Sequence, residues 1–415
     1  VKPTNRTLAA LLVLAGVGCG SEDSPAVAGA EYVVTDGWTG EVVVHTAADL
    51  ENAPELQLVE HLRLGTLDGP EETQFFRIAD VDVANGELWV LDSGHDEVRV
   101  FDFETSEYLR TVGRRGEGPG EFRSPTQINI HDGVVAVGES RQVSFFDLEG
   151  NLLEVGPGFI QSDSARYGQP IQAGPNWFRL RTISAPPFEA ERDTPFRDTV
   201  AVHATDPLSS VPGPEIFRYP TGERILTSGE FLGSFNPFMS VGPVYQGGAD
   251  GNFYYTPADE HRVDIIDAAT GRHVRRIVNT MPRAPVTQAM FDEAVRREEE
   301  ALSAIPEGEP FLEVAKASIE VRKKLPLPEA RRITNTLRVA ADGHWAIIRG
   351  DLDPNPHELG DPGHWDVYRP NGEIMGWFVS EPGANIRRFT GTHFLVREED
   401  ELGIQQLVVY RLEGG

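Results

Sequence analysis

The chain has 415 residues, 40% of them apolar, with 42 Gly and 30 Pro spread along its length instead of gathered in tracts. That composition describes a large, turn-rich globular body with ample core. A formal net charge of −28 gives a negative field that serves solubility and repels phosphate backbones, so nucleic acid is excluded as an expected partner.

At the N-terminal end, Lys2 and Arg6 are followed by the apolar run Leu8 to Leu14 and then by Ala15-Gly16-Val17-Gly18-Cys19. The apolar run is too short to span a bilayer, and small residues sit before the cysteine, as in an export signal. This order resembles the signal of bacterial lipoproteins, which implies a signal peptide over 1–19 and lipid attachment at Cys19, the single cysteine. Cleavage without lipid is the alternative. Within that family Gly20 after the cysteine implies the outer membrane, facing either the periplasm or the surface. Residues 20–50 are expected to form a solvated tether and a leading strand.

From residue 51 to 415 one unit recurs. Its mark is a Gly-containing turn between two extended runs, at Gly86, Gly133, Gly174, Gly251, Gly343 and Gly391. Asn-Gly and Asp-Gly between alternating apolar runs are strong hairpin signals. A third strand ends near an Asp, as in Val98-Arg99-Val100-Phe101-Asp102 and Val263-Asp264-Ile265-Ile266-Asp267, and a fourth follows, as in Tyr108 to Val112. Six such four-stranded units predict an all-β, six-bladed β-propeller. The last unit ends after Leu407 to Arg411 without a fourth strand, and Leu58 to Leu64 is expected to supply it, closing the ring.

Asp92 to Asp102, together with Gly113 to Phe122, resembles the NHL-type six-bladed propellers of bacterial lipoproteins. Members of that family are mostly envelope proteins without an assigned activity, so the resemblance implies a fold more than a function.

Three long insertions interrupt the repeat. They are Ser184 to Asp198 in blade three, a helical insertion at about 284–330 between blades four and five, and Asp351 to Gly363 in blade five. The helices are expected over Thr287 to Ala304, with Thr287 as N-cap, and over Pro310 to Lys324. Because strands in a blade alternate in direction, all three insertions should leave from one face, and insertions on one face mark the binding face of a repeat protein. A passive lid over the channel is the alternative.

Gly113 to Gly120 lacks the Lys-Ser/Thr of a phosphate-cradling loop. Its Arg114 and Arg115, with Arg123, still put positive charge on the loop face of an acidic protein, a candidate anion site. At the axis, the starts of the first strands, such as Arg77-Ile78-Ala79 and Asn385-Ile386-Arg387, present no His or acid. An amide-rich channel lining of Gln127, Gln246, Asn335 and Asn385 is expected instead. Asp351, Asp353 and Asn355 alternate like the opening ligands of a calcium loop, but Pro356, Leu359 and Pro362 break the pattern. No cofactor is expected, calcium there being the one exception considered. No catalytic grouping can be read from the spacing. The expected function is therefore a lipid-anchored envelope propeller that binds a protein or small-molecule ligand whose identity the sequence does not name. A calcium-assisted lactonase or lyase is the alternative.

Overall fold

The computed structural model describes residues 37–414 except 163–164, 184–194, 227–233, 239–241, 258–259, 282–284, 307–308, 329–335 and 350–362. Expected turns become hairpins because their residues accept left-handed backbone. Asn85 and Gly86 have φ of +50° and +77°, and Asp132 and Gly133 have +48° and +77°, the pair of positive angles that matches the twist of the flanking strands. Each hairpin then recruits a third and a fourth strand. In blade one the order is Ile78–Ala84, Glu87–Asp92, Glu97–Asp102 and Tyr108–Val112, all antiparallel.

Five more sheets follow the same plan, with first strands at Gln127–His131, Ile171–Ala173, Val244–Gly247, Leu337–Val339 and Asn385–Phe389. The protein is a six-bladed β-propeller. Closure is made as expected: Gln57–Leu64 pairs antiparallel with Gln405–Glu413, Leu64 lying opposite Leu407 and Leu58 opposite Leu412. Apolar faces of neighbouring blades meet in the core. Between blades one and two Trp89, Val98, Val100, Phe122 and Phe146 are buried together, and between four and five Tyr254, Ile265 and Ile277 cluster with Trp345 and Tyr368, which stack on each other across blade five with centroids 4.0 Å apart.

A leading strand is expected within residues 20–50, and the structure shows where it pairs. Glu41–Thr46 adds as a fifth, parallel strand to the outer edge of blade four, against His273–Thr280, so the sheets begin ahead of residue 51. Trp38 stacks on His273 at 4.1 Å and lies under the Arg276 guanidinium at 4.3 Å. A capped turn of helix, Ala47–Glu51, follows. The chain then brackets the outer strand of blade five: Leu56 donates to the Trp377 carbonyl at 2.7 Å, and Trp377 donates to that of Pro54 at 3.0 Å. Residues 38–64 thus run across the outer edges of blades four, five and six, covering strand edges that would otherwise stay unpaired.

The insertion between blades four and five forms helices Gln288–Ser303 and Pro310–Arg322, and Thr287 caps the first by accepting from the Met290 N–H. Phe291, Val295, Leu302, Leu312, Ala315 and Ile319 make a separate small core, against which Phe238 packs. The helices are further tied by the Arg322–Glu298 pair at 2.6 Å and the Lys323–Glu299 pair at 2.9 Å.

Candidate ligand site at the ring axis

Strand direction sets which residues share a face. First strands start, and fourth strands end, on the side from which the inter-blade connections leave, and the second-to-third connections leave there too. The rim arginines lie on this loop face. Arg114 pairs with Glu121 at 2.8 Å, Arg115 with Asp96 at 2.7 Å, and Arg123 with Glu117. Glu121 also accepts from the Gly118 N–H, and its carboxyl is held below the usual range by that bond and by Arg114. Arg114 and Arg123 are therefore occupied in ordering their own loop, and Arg115 in tying that loop to the connection at Gly94 and Asp96. A cavity of about 550 Å³ beside them is lined by Glu117, Arg123, Glu139 and Arg141, a balanced set of charges.

The motif that carries the family resemblance is structural. Asp92 is fully buried and accepts from the Phe76, Arg77 and Gly94 N–H groups and from His95 Nδ1 at 2.7 Å. Burial alone would raise its pKa, but these donors outweigh it and hold the carboxyl below its ordinary value. Arg99, also buried, donates to the carbonyls of Glu71, Glu72 and Gln74 and to Glu97. The pair fixes the connection that enters blade one.

The axis differs from the amide-lined channel expected from sequence. It is charged. The upper cavity, on the loop face, has a volume of about 310 Å³ and is lined by Asp80, Gln127, Gln172, Arg338, Arg387 and Arg388, among others. A lower cavity of about 220 Å³ includes Asp82, His131 and Arg388 in its wall. Gln127 and Gln246 line the upper cavity as expected, whereas Asn385 is part of neither wall. Asn335, Asp351, Asp353, Asn355 and Cys19 fall outside the described residues.

Two bulges explain why the charges were missed. The pairing of the first two strands shifts register between Ile78 and Asp80 in blade one, and between Ile386 and Arg388 in blade six. A bulged residue resets which side chains face which way. Consecutive arginines, Arg387 and Arg388, then both line the channel. The readable signals were the Asp80-Val81-Asp82 alternation and the Arg387-Arg388 doublet, just past the stretches that strand starts alone would single out.

Most of these charges stitch blades together. Asp80 accepts from the Val81 and Ile128 N–H groups at 3.0 Å each, and Asp82 from Val83 at 2.9 Å and Ile130 at 2.8 Å. They thereby satisfy donors on the inner edge of blade two. Arg388 pairs with Asp82 at 3.2 Å and donates to the Val81 and Ile128 carbonyls. Arg338 donates to the Ile386 and Leu337 carbonyls, and Gln246 exchanges two bonds with the Val339 backbone. Burial raises the pKa of Asp82, with Arg388 opposing the rise.

Arg387 is the exception. It has no hydrogen bond or ion pair among the described residues, and its Nε is buried without a partner. Burial lowers its pKa and the nearby Arg397 lowers it further, with the charge of Asp80 opposing them; a guanidinium nevertheless stays charged at neutral pH. Among the described residues, no group of three or more His, Cys, Asp or Glu is placed to hold a metal ion.

Residues 40–154 match the model of a family, DUF5128, described as a 6-bladed beta-propeller. No curated protein matches the chain in sequence. Similar solved structures include an exported-protein candidate from Bacteroides fragilis, at 9% identity and TM-score 0.46, covering 90% of this chain and 100% of that one. Another is a member of the DUF4221 family from Bacteroides vulgatus, at 10% identity and TM-score 0.48, covering 87% of this chain and 99% of that one.

Proposed function

We propose that the chain is a lipid-anchored binding propeller of the bacterial envelope, held at Cys19 and engaging a protein or small ligand on its loop face. The anchor rests on the order of charged, apolar and small residues before Cys19, and the likeness to NHL-type lipoproteins over Asp92 to Asp102 and Gly113 to Phe122 agrees with it. The observation that carries the binding role is convergence. The connection holding the helical hairpin, the strand ends at Ile183 and Arg349, and the mouth of the upper cavity all belong to one face.

The hairpin has its own core and contributes no strand to a blade. Excising residues 284–330 and bridging the gap with Gly-Ser should leave a folded ring, since a longer or shorter loop changes closure entropy only slowly. Envelope partners recovered with the intact protein should then be lost, with a modest fall in melting temperature from exposing Phe238. An excised ring that keeps every partner removes the hairpin from the binding surface. One that fails to fold makes the helices packing elements.

A further inference from the structure

Three guanidiniums, Arg338, Arg387 and Arg388, and one carboxylate, Asp80, line the upper cavity, while Asp82, in the wall of the lower cavity, pairs with Arg388. Among these groups that leaves one positive charge, with Arg397 near Arg387 but outside the wall. Arg388 is paired with Asp82, and both oxygens of Asp80 accept backbone N–H groups, so the surplus sits on Arg387 and on the part of Arg338 that its carbonyl bonds leave open. A guanidinium carries five N–H donors, and Arg338 directs three hydrogen bonds at the Leu337 and Ile386 carbonyls. An unpaired charge in a half-buried site costs stability. Here the bulge at Arg387 spends local pairing to hold it in the channel wall. Such an arrangement is expected where a ligand supplies the missing partner.

The chemistry of that ligand follows from charge, shape and volume. A planar fork binds a carboxylate through two parallel bonds. One surplus charge matches a monocarboxylate, whereas a phosphoryl group would bring roughly −1.5 to −2. A cavity of about 310 Å³ is at the small end of ligand sites. In the same wall, the Gln127 side chain makes no hydrogen bond among the described residues, and the Gln172 side chain uses only its Nε2, on the Gly174 carbonyl. These amides are placed for hydroxyl groups.

We infer that the upper half of the axial channel is a site for a small hydroxylated monocarboxylate. Its carboxylate pairs with Arg387 and the open edge of Arg338, and its hydroxyls bond the Gln127 and Gln172 side chains. This goes beyond partner binding on the rim and does not depend on the helical hairpin.

The test is isothermal titration of the full chain with glycerate and glucuronate, each beside its neutral counterpart, glycerol or glucose, and with inorganic phosphate at equal ionic strength. At least one acid should bind about tenfold or more tightly than its neutral counterpart and than phosphate. Arg387→Gln should lose about tenfold or more of that affinity while melting no lower than the parent, because it removes an unpaired charge. Arg387→Lys, which keeps the charge but not the fork, should fold like the parent and bind more weakly. The assignment fails if neither acid outbinds its neutral counterpart, if phosphate is preferred, or if either variant keeps parental affinity. It also fails if Arg387→Gln melts well below the parent, since the guanidinium is then a structural group.

Discussion

On the rim of the loop face, Arg114 and Arg115 are 79% and 70% exposed and yet each is paired; at the axis Arg387 is half-buried and has no partner among the described residues. Water would have solvated the rim charges anyway, so their pairing adds little beyond order in the loop. The axial charge is partly withdrawn from solvent and has no carboxylate paired with it among the described residues, and the fold retains it. An arginine count on a face therefore says little about binding; the state of each guanidinium's donors says more. Within the axis itself, Arg388 and Arg387 are chain neighbours with opposite fates, one bonded to blades one and two from blade six and the other open.

Replacing Arg388 should have the largest effect. Arg388→Ala removes the 3.2 Å pair with Asp82 and the bonds to the Val81 and Ile128 carbonyls, leaving a carboxylate that is only 13% exposed without its cation. Breaking one side of such a pair typically costs about 3–5 kcal/mol, and urea unfolding should show it. The neighbouring Arg387→Gln should cost nothing by the same measurement. Equal losses at the two positions would erase the distinction between stitching and open guanidiniums.

A smaller effect is expected on the rim from a carboxylate. Asp92→Asn puts an amide N–H₂ among the donors of Phe76, Arg77, Gly94 and His95, and should cost about 2–3 kcal/mol through lost charge-assisted bonds. The folded-state pKa of Asp92 is lowered. Its contribution is therefore complete above the unfolded value of about 3.9 and is lost as pH falls through the lower folded value. Unfolding curves taken at falling pH should decline less steeply for Asp92→Asn than for the parent in this window. If the two decline in parallel, Asp92 is not what orders the connection.

The unequal legibility of these regions has physical causes. Hairpins such as Asn85-Gly86 and Asp132-Gly133 are local, and their residues are required by positive φ, so six turns and hence six blades could be read from the chain. Closure could be read as well, because a blade lacking its last strand must find one, and Gln57–Leu64 provides it. Thr287 and the spacing of Phe291 and Val295 announced the first helix. The leading strand Glu41–Thr46 was expected but its pairing with blade four was not: a parallel strand on an outer edge needs neither a tight turn nor a strict alternation. The axial charges were hidden for another reason. Alternation from the strand starts predicts which side chains face the channel only if register is unbroken, and the bulges at Ala79 and Arg387 break it. Rim arginines were visible as charge, but Asp96, the partner of Arg115, lies 19 residues earlier in another loop, so their neutralisation was not.

The smallest effect is predicted for Arg114, and it separates the two groups most directly. Its side chain bonds Glu121 through Nε and Nη2 at 2.9 and 2.8 Å, good geometry, but at 79% exposure water and salt compete for both partners. Glu121 keeps the Gly118 N–H when the arginine is gone, so no buried group is orphaned. Arg114→Ala should therefore cost less than about 1 kcal/mol at physiological salt and less still at high salt, as read by urea unfolding at two ionic strengths. Its affinity for the carboxylate probes should equal that of the parent, because a charge already paired with Glu121 adds little field at the axis. A loss of acid binding in Arg114→Ala would move the anion site from the axis to the rim. A loss of several kcal/mol would instead make this exposed pair the keystone of its loop, and exposure would no longer distinguish the two sets of arginines.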